Sequence, residues 1–197
     1  MKYAFHCCGI LLAAGQGKRF DPTGQRHKLL QPLATGLSVV ETSARRLKEA
    51  LPQSFAVVAS DALQIQAQLR AIPIPVYVCQ DADAGMAHSI RSGLVNLPAT
   101  ADAFLIVLAD MPFVRVETIR AIRDALREGA QIVVPSFDGK RGNPVGFSRY
   151  YATQLQSLSG DRGARQLLQT CAVTELALDD PGILQDIDHP QDINVSC

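Results

Sequence analysis

The sequence predicts an α/β fold in which helices cover both faces of a mainly parallel sheet. Strand-like and helix-like segments alternate over most of the chain, which is typical of parallel sheets with crossover helices. The first strand-like segment, residues 3–13, does not alternate apolar with polar side chains, so we expect it to be buried on both faces. The chain has 197 residues, of which 47% are hydrophobic and 19% charged. This length and composition predict one globular domain spanning residues 1–197.

The predicted strands are short apolar segments bounded by turn residues or by polar loops. The strongest is AFLIVL at residues 103–108. The full set covers residues 3–13, 55–59, 75–79, 103–108, 131–135, 143–147 and 173–178.

The predicted helices carry apolar residues at helical spacing between recognisable ends. Ser38 is a plausible N-cap for the first helix, and Asp61 for the second. Gly129 is expected at the C′ position of the fourth helix. The first two predicted helices begin after Ser38 and after Asp61. The next four cover residues 86–97, 116–128, 149–158 and 164–169, and a final short helix begins at Pro190.

The alternation changes after Pro135. The segment SFDGKRG at residues 136–142 contains Asp138-Gly139, a pair that favours a hairpin turn. We therefore expect an antiparallel or added part at one edge of the sheet.

Charge and cysteine content exclude several classes of protein. Nineteen basic and nineteen acidic residues give a formal net charge of zero, and tryptophan is absent. These features argue against a protein that coats nucleic acid or stacks on its bases. The five cysteines form no C-x-x-C pair, which argues against a disulfide framework or zinc site and favours reduced thiols in the cytoplasm. No apolar run is long enough to span a membrane.

A glycine-containing loop follows the first strand. Residues 14–17, AGQG, precede Lys18 and Arg19, and Lys28 comes after a further loop with proline and glycine. Backbone N–H groups at such a turn can bind an anion, and the cations can bind phosphate. The alternative is a tight turn with solvated cations. The loop is neither a P-loop, because Arg19 follows Gly17-Lys18, nor a dinucleotide fingerprint, because Phe20 occupies the last glycine position.

Carboxylates follow two other predicted elements. Asp110 comes directly after the strand at residues 103–108, and Asp186 and Asp188 lie on the same side of an extended segment with Ile187 opposite. Such oxygens, beside phosphates, favour Mg²⁺ over zinc. The alternative role for Asp110 and Asp188 is a turn or a helix cap.

Other chemistry has little support in the sequence. Ser89 lacks the context of a nucleophile elbow. The histidines have no metal-ligand spacing, and we assign none of them as a ligand: His6, His27, His88 and His189.

Five segments together resemble a known family. They are LAAGQGKRF at residues 12–20 with Lys28-Leu29, LADMP at 108–112, GNPVGF at 142–147, GDRGAR at 160–165 and DIDHPQD at 186–192. In this order they resemble the molybdenum-cofactor nucleotidyltransferases of the nucleotidyltransferase superfamily, and most closely the cytidylyltransferase branch. The loop between Arg19 and Lys28 is longer than the compact R-[FM]-G-x-x-K form.

The resemblance implies a Rossmann-like three-layer α/β/α sandwich with a mostly parallel mixed sheet. It also implies Mg²⁺-dependent transfer of CMP from CTP to a molybdopterin-type cofactor, with release of pyrophosphate. The product would pass to a client molybdoenzyme or its chaperone. Ala13-Ala14-Gly15 suggests the pyrimidine base, because guanylyltransferase relatives tend to have LAGG there.

The resemblance also implies roles for individual residues. Direct attack by the acceptor phosphate on the α-phosphorus would use Lys28 at the α-phosphate, Arg19 at the β- and γ-phosphates and Asp110 as catalytic residues. The metal ligands would be Asp110 and Asp188. The nucleotide-binding residues would be Leu12, Ala13, Ala14, Gly15, Gly17, Arg19, Lys28, Gly85 and Ser89, and the acceptor-binding residues Asn143 and Asp161.

Three alternatives stay open. The first is an enzyme of the same kind with another acceptor or base: a guanylyltransferase for the same cofactor, or a sugar-phosphate or alditol-phosphate cytidylyltransferase. A non-catalytic nucleotide sensor is the second, and the retained cations and carboxylates argue against it. The third, a dinucleotide-dependent oxidoreductase, is disfavoured by the missing third glycine and by Ser60, rather than an acidic residue, at the end of the second strand.

Overall fold

The computed structural model describes residues 4–17, 19–23, 25–157 and 163–194, with side chains except at 163–166 and 194. Its strands are β1 (Cys7–Ala13), β2 (Ser54–Ala59), β3 (Val76–Cys79), β4 (Ala103–Leu108), β5 (Ile132–Phe137), β6 (Lys140–Arg141), β7 (Val145–Ser148) and β8 (Thr174–Ala177). Its α-helices are α1 (Val39–Ala50), α2 (Leu63–Arg70), α3 (Met86–Val95), α4 (Val116–Arg127), α5 (Tyr151–Ser157) and α6 (Gly163–Thr170). None of the helices described is long and apolar enough to cross a membrane.

One mixed sheet holds all eight strands. Its order is β3-β2-β1-β4-β7-β5-β6, and β8 pairs with β5. β1 lies in the interior of the sheet and is parallel to both β2 and β4. All seven residues of β1 are buried, which explains its continuous apolar sequence.

Helices cover both faces of the sheet, and the alternation of side chains along β1 separates two cores. Leu11 belongs to the core formed with α1, α2 and α4. Ile10 and Leu12 belong to the core formed with α3, α5 and α6. The predicted three-layer α/β/α sandwich with a mostly parallel mixed sheet is therefore confirmed.

We expected an antiparallel or added part at one edge of the sheet after Pro135, and β6 is such a part: it ends the strand order and pairs antiparallel with β5. A second antiparallel strand, β7, is not at the edge. β7 lies between β4 and β5 and is antiparallel to both. Phe147 of β7 stacks on Phe104 of β4 with ring centroids 5.6 Å apart, so β7 is part of the core. The sequence did not show this position, because β7 pairs with a strand some forty residues earlier in the chain. The hairpin is as predicted: Asp138 and Gly139 have positive φ and join β5 to β6.

Most predicted helix ends are observed, with one clear exception. Ser38 forms a capping box with Glu41, and Gly129 has the positive φ expected at C′. Asp61 does not cap α2, whose N-cap is Ala62 without a side-chain hydrogen bond.

The first strand begins at Cys7 rather than at residue 3. We did not predict the 3₁₀ turns Lys28–Leu30, Ala82–Ala84 and Pro181–Leu184.

Candidate functional site

The carboxyl ends of β1 and β4 bring the glycine loop next to Asp110. The two strands are parallel neighbours, with Leu12 paired to Leu108 in register. The backbone N–H of Ala109 donates to the carbonyl of Leu12 at 3.1 Å, which extends the pairing beyond β4. Residues 14–17 and Asp110 therefore follow the carboxyl ends of neighbouring strands, and ligands bind at that end of the sheet in such folds.

Lys28 joins two carboxylates that are remote in sequence. Its ammonium Nζ lies 2.7 Å from Oδ2 of Asp110 and 2.9 Å from Oδ1 of Asp188. Lys28 is only 7% exposed. The backbone N–H of Ile187 donates to the carbonyl of Asp110 at 2.8 Å, so the C-terminal segment is fastened beside β4. The structure thus brings three of the predicted site residues together around one charge.

Arg19 adds a second positive charge to this group. Its guanidinium, which is largely exposed, donates to Asp188. Two cations therefore face two carboxylates. Burial opposes the charged form of Lys28, but Asp110 and Asp188 outweigh it, so the pKa of Lys28 is raised above its ordinary value. The hydrogen bond from Lys28, together with nearby positive charge, outweighs burial and lowers the pKa of Asp188.

The glycine loop packs directly against Lys28. Gly17 has φ +64°, and a Cβ added there would lie 3.3 Å from Cγ of Lys28. Within the described part of the chain, the backbone N–H groups of Gln16 and Gly17 donate to no other residue. Free N–H groups beside two cations can bind a phosphate. Lys18 lies outside the described residues.

The residues predicted for the base lie at the end of β1 and at the start of α3. Leu12, Ala13 and Ala14 are buried at the end of β1, and Ser89 is buried in the first turn of α3. Gly85 has φ +116° and is the residue just before α3.

Two side chains near the start of α3 have notable surroundings. The Gln16 amide donates to the Asp83 carboxylate, so the glycine loop meets the loop before Gly85. Nδ1 of His88 is buried and has no hydrogen-bond partner among the described residues.

A separate pocket of about 230 Å³ lies beside the end of β4. Asn143, a predicted acceptor residue, lines it together with Asp186. Asp186 lines this pocket, whereas Asp188 contacts Lys28, and Ile187 between them is fully buried. The other predicted acceptor residue, Asp161, lies outside the described residues. The complete lining is Leu108, Met111, Arg141, Gly142, Asn143, Ile183, Leu184 and Asp186.

Our sequence interpretation missed three residues that support the site. Asp192 accepts hydrogen bonds from the backbone N–H groups of Asp188 and His189, at 3.0 and 2.6 Å. Asp192 therefore holds the backbone of Asp188 and His189 just before the last turn, and its position in the DIDHPQD motif was an available signal. His27 contacts both the glycine loop and the turn of Lys28, and Asp180 fastens the C-terminal segment to α4. Neither has a local sequence signal.

Comparison with known proteins gives matches over nearly the whole chain. The family profile described as "MobA-like NTP transferase domain" matches residues 9–177. The purine catabolism protein PucB of Bacillus subtilis (strain 168) is 34% identical over 200 residues, covering 95% of this chain and 94% of PucB.

Solved structures match the fold over similar lengths. Rv0371c of Mycobacterium tuberculosis H37Rv has a TM-score of 0.84 and 27% identity, covering 96% of both chains. Its manganese complex has a TM-score of 0.78 and 26% identity, covering 95% of both chains. Molybdopterin-guanine dinucleotide biosynthesis protein A of Archaeoglobus fulgidus has a TM-score of 0.66 over 94% of both chains. Its identity is 17%, so this likeness concerns the fold alone.

Proposed function

Because the chain belongs to the MobA-like NTP transferase family, we propose that it transfers CMP from CTP to a molybdopterin-type cofactor and releases pyrophosphate. The observation that supports this most is the convergence of Lys28, Asp110 and Asp188 beside a loop in which the N–H groups of Gln16 and Gly17 donate to none of the described residues. A cation site next to an anion site is what transfer between phosphates needs.

The two carboxylates fit a divalent cation. The Lys28 ammonium already lies within 3 Å of an oxygen of each, so Asp110 and Asp188 can face one positive charge. Among the described residues, no group of three acidic, histidine or cysteine side chains could hold a metal. We therefore propose that Asp110 and Asp188 hold Mg²⁺ jointly with the phosphates. The manganese complex of Rv0371c supports a divalent metal. When bound, the ion would neutralise charge on the triphosphate.

The chain's own residues would align and neutralise the reacting phosphates. An oxygen of the acceptor phosphate attacks the α-phosphorus, and the bond from that phosphorus to the bridging oxygen of the β-phosphate breaks. The N–H groups of residues 15–17 hold the triphosphate, and Arg19 neutralises the departing pyrophosphate. Lys28 neutralises the charge that builds on the α-phosphate in the transition state. No covalent intermediate with the protein is needed.

The base and the acceptor would occupy different regions of the site. We assign the base to the region between the end of β1 and the start of α3, with Leu12, Ala13, Ala14, Gly85 and Ser89 as its contacts. Ala13-Ala14 supports cytosine only through the family resemblance. We assign the acceptor to the pocket that contains Asn143, with Asp161 as a second contact.

We propose that the protein works in the cytoplasm and delivers its product to a client molybdoenzyme or its chaperone. The four cysteines among the described residues form no disulfide. Burial raises the pKa of the Cys7 and Cys8 thiols to about 12, so they are poor nucleophiles.

A turnover screen with four NTPs and molybdopterin cofactor as acceptor tests the proposal. We expect pyrophosphate release with CTP well above that with ATP, GTP or UTP. A preference for GTP would instead support the guanylyltransferase alternative. Turnover only with a sugar phosphate or alditol phosphate would move the protein to another acceptor class. Tight NTP binding without turnover would indicate a sensor.

A further inference from the structure

The loop between Arg19 and Lys28 is held by its own contacts. Asp21 accepts hydrogen bonds from the backbone N–H groups of Thr23 and Arg26, each at 2.8 Å. The Arg26 guanidinium lies 5.6 Å from the ring centroid of the buried Phe20. These contacts order the residues that precede His27 in the chain.

His27 connects the glycine loop to the turn that carries Lys28. Its Nδ1 accepts a hydrogen bond from the backbone N–H of Leu29 at 3.2 Å, and so caps the turn Lys28–Leu30. Its Nε2 lies 3.1 Å from the carbonyl oxygen of Gly15. A backbone N–H can only donate, so Nδ1 must be unprotonated, and the ring proton lies on Nε2, where it donates to Gly15.

We infer that His27 is a positioning residue that fastens the glycine loop to the Lys28 turn through its Nε2–H tautomer. The two contacts fix the spacing between the N–H groups of residues 15–17 and the Lys28 ammonium. This inference rests on the proposed function, in which those groups bind neighbouring phosphates. A misplacement of about 1 Å between such groups can cost about 100-fold in rate.

Protonation would break one of the two contacts. The imidazolium carries a proton on Nδ1 and can no longer accept from Leu29. Burial lowers the pKa of His27, the Gly15 carbonyl opposes this, and the charges that face the ring are Lys28, which lowers the pKa, and Asp61, which raises it. The neutral ring is therefore favoured by folding. Its contribution to stability is complete above the unfolded value of 6.5 and is lost as the pH falls through the lower folded value.

Two substitutions separate the contacts. In His27→Asn the side-chain oxygen can replace Nδ1 as the cap of Leu29, but the amide is too short to reach Gly15. In His27→Gln the amide can replace Nε2 at Gly15, but the local cap is weakened. We expect kcat to fall about tenfold or more in His27→Ala and less in each amide variant. We also expect the acidic decline of kcat that His27 causes in the wild type to be absent from all three variants, because none titrates at this position.

His6→Asn is the matched control, because His6 lies at the opposite end of β1 and should keep the wild-type profile. Wild-type kcat in all three His27 variants, or an unchanged acidic decline in them, would overturn the inference.

An NMR measurement tests His27 without turnover. Long-range ¹H–¹⁵N correlation spectra of the wild-type chain at neutral pH should show His27 as the neutral Nε2–H tautomer. A proton on Nδ1, or a charged ring, at that pH would overturn the inference. If no NTP supports turnover, the proposed function fails, and the tautomer is still measurable on the same protein.

Discussion

At the scale of single residues, the site is a balance of charge around Lys28. Asp110 and Asp188 are each about one quarter exposed, whereas the Lys28 side chain is 9% exposed. A buried ammonium is unfavourable without partners, so the two carboxylates stabilise it and it screens them from each other. The same arrangement that stabilises the free protein therefore keeps the two proposed metal-binding carboxylates close together.

The proposed metal role of Asp188 can be tested against its neighbour. Asp188→Asn removes the charge that faces Lys28, and we expect kcat to fall about 100-fold or more. Asp186→Asn, two residues earlier, is the control, because Asp186 lines the proposed acceptor pocket and no contact with Lys28 is found among the described residues. Steady-state kinetics should show a change in the acceptor KM rather than in kcat for this control. Near-normal Mg²⁺-dependent kcat in Asp188→Asn would remove the metal role.

The charge balance also predicts a dependence of stability on pH. The lowered pKa of Asp188 means that its contribution is present above the ordinary value of 3.8 and is lost as the pH falls through the folded value. Urea unfolding between about pH 2.5 and 6 should therefore show a steeper acidic loss of stability in the wild type than in Asp188→Asn. Equal slopes would mean that the Lys28–Asp188 pair does not contribute to folding.

Loss of the Lys28 charge should change both chemistry and metal binding. Lys28→Met keeps most of the side-chain volume against Gly17 but leaves the two carboxylates without their cation. We expect kcat to fall about 100-fold and Mn²⁺, measured by electron paramagnetic resonance without nucleotide, to bind more tightly than in the wild type. Lys48→Met, on α1, should change neither. Weaker Mn²⁺ binding in Lys28→Met would contradict the proposed ligand pair.

At the scale of elements, the site residues lie at the ends of strands and in short turns. The glycine loop follows β1, Asp110 follows β4, and Lys28 occupies a 3₁₀ turn capped by His27. These segments need backbone conformations that regular elements do not supply, and Gly17 with its positive φ is one of them.

Gly17 and Gly15 form a matched pair for testing the loop. Gly17→Ala places a side chain at φ +64° and within 3.3 Å of Lys28, so we expect it to reduce the free energy of unfolding by about 1–2 kcal/mol. A Cβ at Gly15 meets nothing within 4 Å among the described residues, so Gly15→Ala should leave that free energy nearly unchanged. Chemical denaturation measures both. Equal losses would mean that backbone conformation at Gly17 does not decide the loop's stability.

At the scale of the whole molecule, the C-terminal segment contributes Asp188 to the site, and Asp180 anchors that segment to the rest of the fold. The buried Asp180 carboxylate accepts hydrogen bonds from the backbone N–H groups of Arg115 and Gly182 and from the Thr118 hydroxyl. These contacts join the chain before Asp186 and Asp188 to the start of α4.

Asp180→Ala should weaken that connection. It would leave two buried donors, the Thr118 hydroxyl and the Gly182 N–H, and one partly buried donor, the Arg115 N–H, without their acceptor, and we expect a loss of about 3 kcal/mol in the free energy of unfolding. Asp179→Ala is the control, because Asp179 is exposed and its backbone carbonyl, which accepts from Arg115, is retained. Thermal unfolding followed by circular dichroism should separate the two variants by several degrees, and similar midpoints would contradict the anchoring role.

The sequence alone determined the alternation of strands and helices, the burial of the first strand on both faces and the Ser38 cap, because these depend on local periodicity and local hydrogen bonds. It also indicated Lys28, Asp110 and Asp188 as partners, through motifs that are each short and local. Only the tertiary structure decided that β7 lies inside the sheet, that Asp186 and Asp188 face different places, and that His27 joins two loops. Those outcomes depend on contacts between residues far apart in the chain, and no short stretch of sequence encodes such distances.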